Sequence, residues 1–267
     1  MQLPARTPPV ITYHCNICGT QNTLAVNDFY RELALCSYCG ANSRFRGIIG
    51  VLAGIVGEDA SLPLQYWSPR KEISGLGMSD WPGYATMLSE RFAYVNTFYD
   101  QDPKLDIQNI EASFLDAYDF VISTDVFEHI LQPLQNGFDN LRRIIKPGGH
   151  LVFSVPYTRT ETTLEHFPDL HDFKIIDFYG TRVLLNKTRS GSYQVYDKLI
   201  FHGGSGSTLE MRLFCEADIL RRLQASGFKN ITVHERPALE IGYYWPKLYQ
   251  EDRSAPFLYA YIISAQK

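Results

Sequence analysis

From residue 64 onward, short apolar runs alternate with amphipathic stretches. The runs at Leu64–Trp67, Tyr94–Phe98, Phe120–Ser123, Leu151–Val155, Ile231–His234 and Phe257–Ser264 predict strands. Helical patterns lie between them, notably over Leu134–Ile145 and Glu216–Gln224. Alternation at this spacing implies an α/β architecture: a mostly parallel sheet with helices on both faces. Ligands of such sheets bind outside the carboxyl ends of the strands, where the strand order reverses. A further helix is predicted from a cap at Asn42 or Ser43 through Phe45, Ile48, Ile49, Leu52 and Ile55. The alternation breaks between Pro156 and about Phe214. This insert, about 157–214, holds a hairpin pattern, Thr181–Lys187 and Tyr193–Phe201, around Arg189-Ser190-Gly191-Ser192. Following a central strand, it is expected to cover the mouth of the site.

Ahead of the alternation, residues 1–13 carry Pro4, Pro8 and Pro9 and read as an extended lead-in. Cys15-Asn16-Ile17-Cys18-Gly19 and Cys36-Ser37-Tyr38-Cys39-Gly40 then follow, with 17 residues between Cys18 and Cys36. A two-residue gap lets one tight turn present two thiolates to a single ion, and two such pairs supply four tetrahedral ligands. Structural zinc on Cys15, Cys18, Cys36 and Cys39 is the expectation. An iron–sulfur centre or pairs of free or redox-active thiols are the alternatives. Cys215 stands apart and reads as a small buried apolar residue.

Composition changes the picture little. The chain has 267 residues, 45% hydrophobic and 20% charged, with a net charge of −4 and a pI near 6.0. The acidic balance argues against a nucleic-acid partner. No apolar run is long enough to span a bilayer and the N-terminus lacks a signal-peptide pattern, so no membrane partner and a cytoplasmic location are expected. Tyr243, Tyr244 and Trp245 cluster near the end, and suit an aromatic-lined surface, core packing or a dimer contact equally.

The segment Tyr118-Asp119-Phe120-Val121-Ile122-Ser123-Thr124-Asp125-Val126-Phe127-Glu128-His129 is followed by Leu141 to Pro156 with Lys146-Pro147-Gly148-Gly149 inside it. This closely resembles the middle of class I S-adenosylmethionine-dependent methyltransferases. There, the fourth strand ends on an acidic residue and a PGG turn precedes the fifth. The resemblance covers about 62–267. It implies a Rossmann-like fold with a mostly parallel seven-stranded sheet, behind a small zinc-ribbon-like module. The implied domains are residues 1–45 and 46–267.

On this resemblance S-adenosylmethionine is the cofactor. Thr124 and Asp125 would face its crevice from a strand end, and Asp106-Ile107 would meet the adenine. Asn96 or Asp100 would hold the ribose. If strand one ends at Trp67, Ser68 stands where the family's first loop glycine would be, and Gly75 and Gly77 come late. That departure leaves open a loop that no longer binds cofactor.

Methyl transfer needs a base only if the acceptor must lose a proton. Histidine suits that task. His129 begins a helix beside the crevice, and His166 and His171 lie among carboxylates in the insert. Each reads either as a base or as a hydrogen-bonding loop residue, and a cation held by His166, Asp169, His171 and Asp172 is a further alternative. Gly203-Gly204-Ser205-Gly206 lacks the ending of a phosphate loop and reads as a turn or lid. The expected function is methylation of a small-molecule acceptor, sugar-containing or a natural product. The alternatives are RNA methylation, with Arg31, Arg44 and Arg46 on phosphates, and a non-catalytic scaffold. Oligomeric state is left open.

Overall fold

The structure is a computed structural model and describes residues 9–29, 32–202, 208–244 and 258–267. A short antiparallel hairpin, β1 (Val10–His14) and β2 (Gln21–Ala25), opens the chain. Helix α1 (Ser43–Val56) follows the second cysteine pair. Asn42 caps it, its Oδ1 accepting from the Phe45 amide at 2.8 Å, and Gly57 ends it at φ +75°. Ile48, Ile49, Leu52 and Ala53 are buried in one apolar core with Cys15, Ile17 and the strands of the main sheet.

That sheet has six strands among the described residues. In chain order they are β3 (Arg70–Met78), β4 (Phe92–Thr97), β5 (Tyr118–Thr124), β6 (Ile145–Ser154) and, after the insert, β15 (Lys229–Val233) and β16 (Ile263–Gln266). The spatial order is β15-β16-β6-β5-β3-β4. The four strands from β4 to β6 are parallel, whereas β16 and β15 run antiparallel. Helices α2 (Pro82–Arg91), α3 (Leu134–Ile144) and α4 (Glu216–Ala225) complete the alternation. The chain leaves β3 for β4 on one side and returns to β5 on the other, so the strand order reverses between β3 and β5. Among the described residues no seventh strand pairs with β4, and residues 98–110 make one isolated parallel bridge, Phe98 to Lys104.

The first strand lies elsewhere than its apolar pattern suggested. Leu64–Tyr66 is a single turn of 3-10 helix, and β3 begins at Arg70. Two glycines and three charged residues hide this strand from any propensity argument. The glycines are there for packing. Gly75 stands directly opposite Tyr94 on β4 and Phe120 on β5. A Cβ at Gly75 would meet the Phe120 ring at 2.2 Å, and one at Gly77 the Tyr94 hydroxyl at 1.9 Å. The two rings stack over the strand at 6.1 Å. Asp119 fixes the register at the other end, its Oδ2 accepting from Ser74 N, Ser74 Oγ and Lys146 Nζ at 2.7–2.8 Å.

The insert forms its own small layer. It runs through β7 (Tyr157–Thr158), β8 (Leu164–Glu165), β9 (Asp172–Phe178), β10 (Thr181–Lys187), β11 (Tyr193–Tyr196), β12 (Phe201–His202), β13 (Thr208–Leu209) and β14 (Arg212–Cys215). Strands β9, β10 and β11 make an antiparallel sheet with Phe167, Leu184 and Leu209 buried against it. Arg212 is 1% exposed. It donates to Glu165 Oε1 at 2.7 Å and to the carbonyls of Phe127 and Ile130 at 2.9 and 2.6 Å, fastening the insert to the loop after β5. Cys215 is buried, and its sulfur accepts from the Asp218 amide at the start of α4. Residues 203–207 and Trp245 lie outside the described residues. Tyr243 is core, its ring against Gly47 and its hydroxyl on the His234 carbonyl, whereas Tyr244 packs on Phe29.

Arg46 ties the N-terminal hairpin to the sheet. It is fully buried and donates to the carbonyls of Ala34, Ala41 and Gly242 at 3.0, 2.6 and 2.8 Å. Its guanidinium also lies 4.4 Å from the Tyr13 ring centroid. Arg46→Ala removes three buried hydrogen bonds and the packing of a fully buried side chain, and is expected to cost about 3–5 kcal/mol, read from urea unfolding. An unchanged midpoint would contradict this role.

Candidate active site

A cavity of about 1170 Å³ opens where the strand order reverses, at the carboxyl ends of β3, β4 and β5. Met78, Ser79 and Trp81 form one lip, and Thr124, Asp125 and Val126 form the other. Both lips hold a non-glycine residue in the left-handed region, Ser79 at φ +59° and Asp125 at φ +55°. Such backbone is costly and persists where neighbours fix it. Ser79 N donates to the Thr97 carbonyl at 2.7 Å, and Asp125 N donates to the Ser154 carbonyl at 2.9 Å.

The first loop is therefore Ser79-Asp80-Trp81-Pro82, and it does carry a carboxylate. Asp80 is buried, and the Tyr94 hydroxyl donates to its Oδ2. Asn96 clasps the Asp80 backbone from both sides, accepting from its N–H and donating to its C=O, each at 2.9 Å. Burial pushes the Asp80 carboxyl up to about 7 against the pull of Tyr94. The shift of strand one is what hid this residue: with the strand ended at Trp67, the first loop is sought near Ser68, twelve residues before Asp80.

The expected cofactor residues divide accordingly. Asp106, Ile107, Thr124 and Asp125 line the cavity. The Asp106 carboxylate also holds its own turn, accepting from the Gln108 amide and from Asn109 Nδ2 at 2.9 Å. Ser68 and Gly75 are not among the lining residues, because Ser68 precedes β3 and Gly75 packs under Phe120. Asn96 acts on the loop, and of the two ribose candidates it is Asp100 that lines the cavity.

Three residues from the N-terminal segment complete the wall: Glu32, Arg44 and Phe45. Arg44 is 7% exposed. Its Nε donates to Glu32 Oε1 at 2.8 Å, its Nη2 lies 3.2 Å from Asp125 Oδ2, and its Nη1 donates to Thr124 Oγ1 at 3.4 Å. Burial opposes the charge, but Asp125 and Glu32 outweigh it and leave the guanidinium above its ordinary pKa. Phe45 stacks flat on Trp81 at 4.8 Å. Arg44 and Arg46, expected as phosphate contacts in an RNA reading, are both buried, and Arg31 lies outside the described residues.

The insert also lines the cavity, through Phe173, Thr208 and Met211, as does His129. His129 Nδ1 lies 2.9 Å from the Leu209 carbonyl. A carbonyl only accepts, so Nδ1 carries the proton and Nε2 is the basic nitrogen. Nε2 is 3.9 Å from Glu128 Oε1. His166 and His171 do not line this cavity. His166 pairs with Glu210 at 2.8 Å, and His171 is exposed, its amide held by Asn186. Among the described residues, the one group that could hold a metal is Cys15, Cys18, Cys36 and Cys39, which replaces the cation suggested for the insert.

A family model described as a methyltransferase domain matches residues 55–233. The chain belongs to this methyltransferase family. The methyltransferase has the class I Rossmann-like fold, with six described strands. No curated protein matches it. Among solved structures it is similar to 1,6-didemethyltoxoflavin-N1-methyltransferase of Burkholderia thailandensis at 10% identity, covering 83% of this chain and 77% of that one with TM-score 0.43. An S-adenosylmethionine-dependent methyltransferase of Clostridium acetobutylicum is 12% identical, over 84% and 92% of the two chains with TM-score 0.44. The sugar N-methyltransferase KedS8 of Streptoalloteichus sp is 13% identical, over 73% and 80% with TM-score 0.38.

The buried Asp80 makes the methyltransferase's stability depend on pH. Its folded pKa lies above the ordinary 3.8, so the stabilising proton is fully held below that value and lost as pH rises through about 7. Asn at this position keeps an acceptor for Tyr94 but has no charge to bury. Unfolding measured from pH 4 to 8 should show the parent protein losing on the order of 4 kcal/mol relative to Asp80→Asn. Parallel curves would contradict the assignment.

Proposed function

We propose that this methyltransferase acts on a small-molecule acceptor, with His129 as the base and a zinc ion held by the four cysteines as a structural element. The observation that carries the reading is that the insert lines the cavity together with His129. Phe173, Thr208 and Met211 of the insert line it alongside His129 and the strand ends of β3 and β5. A pocket of this size, walled partly by the insert, suits a small acceptor better than a nucleic-acid strand. Gln108, Gln132 and Asn136 line the same pocket with amides that both donate and accept, which suits a polyhydroxylated or amine-bearing molecule.

When bound, the cofactor supplies an activated methyl group on a sulfonium. Asp106, Thr124 and Asp125 are the residues that would hold it, and Gly77 keeps Tyr94 and Asp80 packed beneath the first loop. His129 Nε2 takes the proton that the acceptor releases, while the Leu209 carbonyl fixes the ring's tautomer. Met211 N donates to the Glu128 carbonyl at 2.8 Å, so the insert and the base-bearing loop hold one another in place.

The cysteine sulfurs fit one tetrahedral ion. Cys15 to Cys39 is 3.7 Å, Cys18 to Cys36 is 3.6 Å, and all four sulfurs lie within 4.8 Å of one another. Zinc–sulfur bonds of about 2.3 Å give tetrahedral edges near 3.8 Å. An iron–sulfur cluster would need the ligands farther apart to reach separate irons. The two turns are alike, Gly19 N donating to Cys15 O and Gly40 N to Cys36 O, at φ +81° and +75°. Arg46 adds an electrostatic reason. Among the described residues no carboxylate pairs with this buried cation, and the negative charge of four metal-bound thiolates next to it supplies the balance.

The test is turnover with S-adenosylmethionine across amino sugars, glycosides and other small hydroxyl- or amine-bearing acceptors, followed by His129→Ala on the best of them. We expect kcat to fall about 10²–10⁴-fold with S-adenosylhomocysteine affinity unchanged. Undiminished kcat would remove His129 from the chemistry, and activity confined to RNA would overturn the acceptor class.

A further inference from the structure

We propose that Glu32 and Arg44 are positioning residues through which the four-cysteine centre sets the affinity of the cofactor crevice. The inference rests on the zinc reading above, and it assigns the N-terminal module a part in cofactor binding beyond stability.

The connection is a short chain of contacts. Cys36 and Cys39 anchor one end of the loop that carries Glu32, only four residues away. The Glu32 carboxylate accepts from Arg44 Nε at 2.8 Å, from Arg44 Nη2 at 3.3 Å and from Asn42 Nδ2 at 2.6 Å. Asn42 is the cap of α1, three residues past Cys39, so the same carboxylate steadies both the start of the helix and its first arginine. Arg44 then reaches across to Asp125 and Thr124 at the end of β5. Asp125 is the strained residue of that lip, at φ +55°. A guanidinium fork holds a carboxylate in one orientation, which a point charge does not.

The next residue grips the opposite lip. Phe45 lies flat against Trp81, with an interplanar angle of 2°, and Trp81 is the N-cap of α2 in the first cofactor loop. Consecutive residues on one helical turn therefore bridge both sides of the crevice. Their placement depends on where α1 starts, and the cysteine turns fix that start. Glu32 itself has a side chain 44% exposed. A carboxylate so exposed keeps its geometry only as well as the loop that carries it. Loss of the metal frees that loop at the anchor nearest to Glu32, and the fork on Arg44 goes with it.

The test compares calorimetric binding of S-adenosylhomocysteine by the full chain and by Glu32→Gln, each zinc-loaded and after chelation, with zinc content and far-UV circular dichroism measured alongside. We expect Glu32→Gln to weaken binding about tenfold with full zinc and an unchanged spectrum. Chelation of the parent protein should produce a loss of the same size, and chelation of Glu32→Gln little more, because both act through one chain of contacts. Arg44→Lys keeps the charge but not the fork and should match Glu32→Gln. Parent-like binding by zinc-loaded Glu32→Gln, or losses that multiply, would overturn the proposal. If chelation unfolds the protein, the zinc-loaded comparison alone decides. A purified protein without zinc would overturn the proposal as well as the metal reading.

Discussion

Two arginines on the first turns of α1 organise this molecule. Arg44 and Arg46 stand two residues apart, so they leave the helix on different sides, and each is buried. Each guanidinium placed inside a protein must find negative charge or carbonyl oxygens, or the helix cannot dock where it does. Arg46 finds the carbonyls of Ala34, Ala41 and Gly242 and lies near the cysteine turns. Arg44 finds Glu32 and Asp125 at the rim of the crevice. One helix is thereby locked at once to the cysteine module, to the end of the chain and to the lip of the cofactor site.

The crevice itself depends on a second constraint, the absence of side chains on β3. Tyr94 and Phe120 can lie over this strand only because residues 75 and 77 are glycine. That packing places Asp80 and Tyr94 under the first loop, where Asn96 clasps the backbone. Strand, loop and neighbouring strand are thus fixed by one local arrangement. The left-handed Ser79 is its consequence at the surface of the cavity. The insert adds to the cavity wall, and Arg212 and His129 fasten it to the loop after β5 through the carbonyls of Phe127, Ile130 and Leu209.

Much of this was legible in the sequence. The α/β alternation, α1 with its cap at Asn42, the two later helices, the hairpin within the insert and the paired cysteines all follow from periodicity and spacing. β3 was not legible. Its pattern of charges and glycines, Arg70-Lys71-Glu72-Ile73-Ser74-Gly75-Leu76-Gly77, offers no strand signal, because its stabilisation comes from rings on neighbouring strands. That single displacement moved the first loop and put Ser68 and Gly75 into a site from which the fold removes them. Asp80 could have been found as the lone acid between an apolar strand end and the Pro82 that opens α2. Glu32 could not have been, since only tertiary packing brings a residue of the cysteine loop to the end of β5. His166 and His171 look like His129 in sequence. Only the path of the insert separates them, turning His166 toward Glu210 and leaving His171 exposed.

The strand ends of the methyltransferase domain and the first turn of α1 build the crevice jointly. Hydrogen–deuterium exchange with and without S-adenosylhomocysteine tests this most directly, because backbone protection reports on each segment separately. Added protection is expected at 78–81, 97–100, 106–109 and 124–129, and also at 42–46 in the helix that leaves the cysteine module. Protection confined to the strand ends, with 42–46 exchanging as fast as in the free protein, would contradict it.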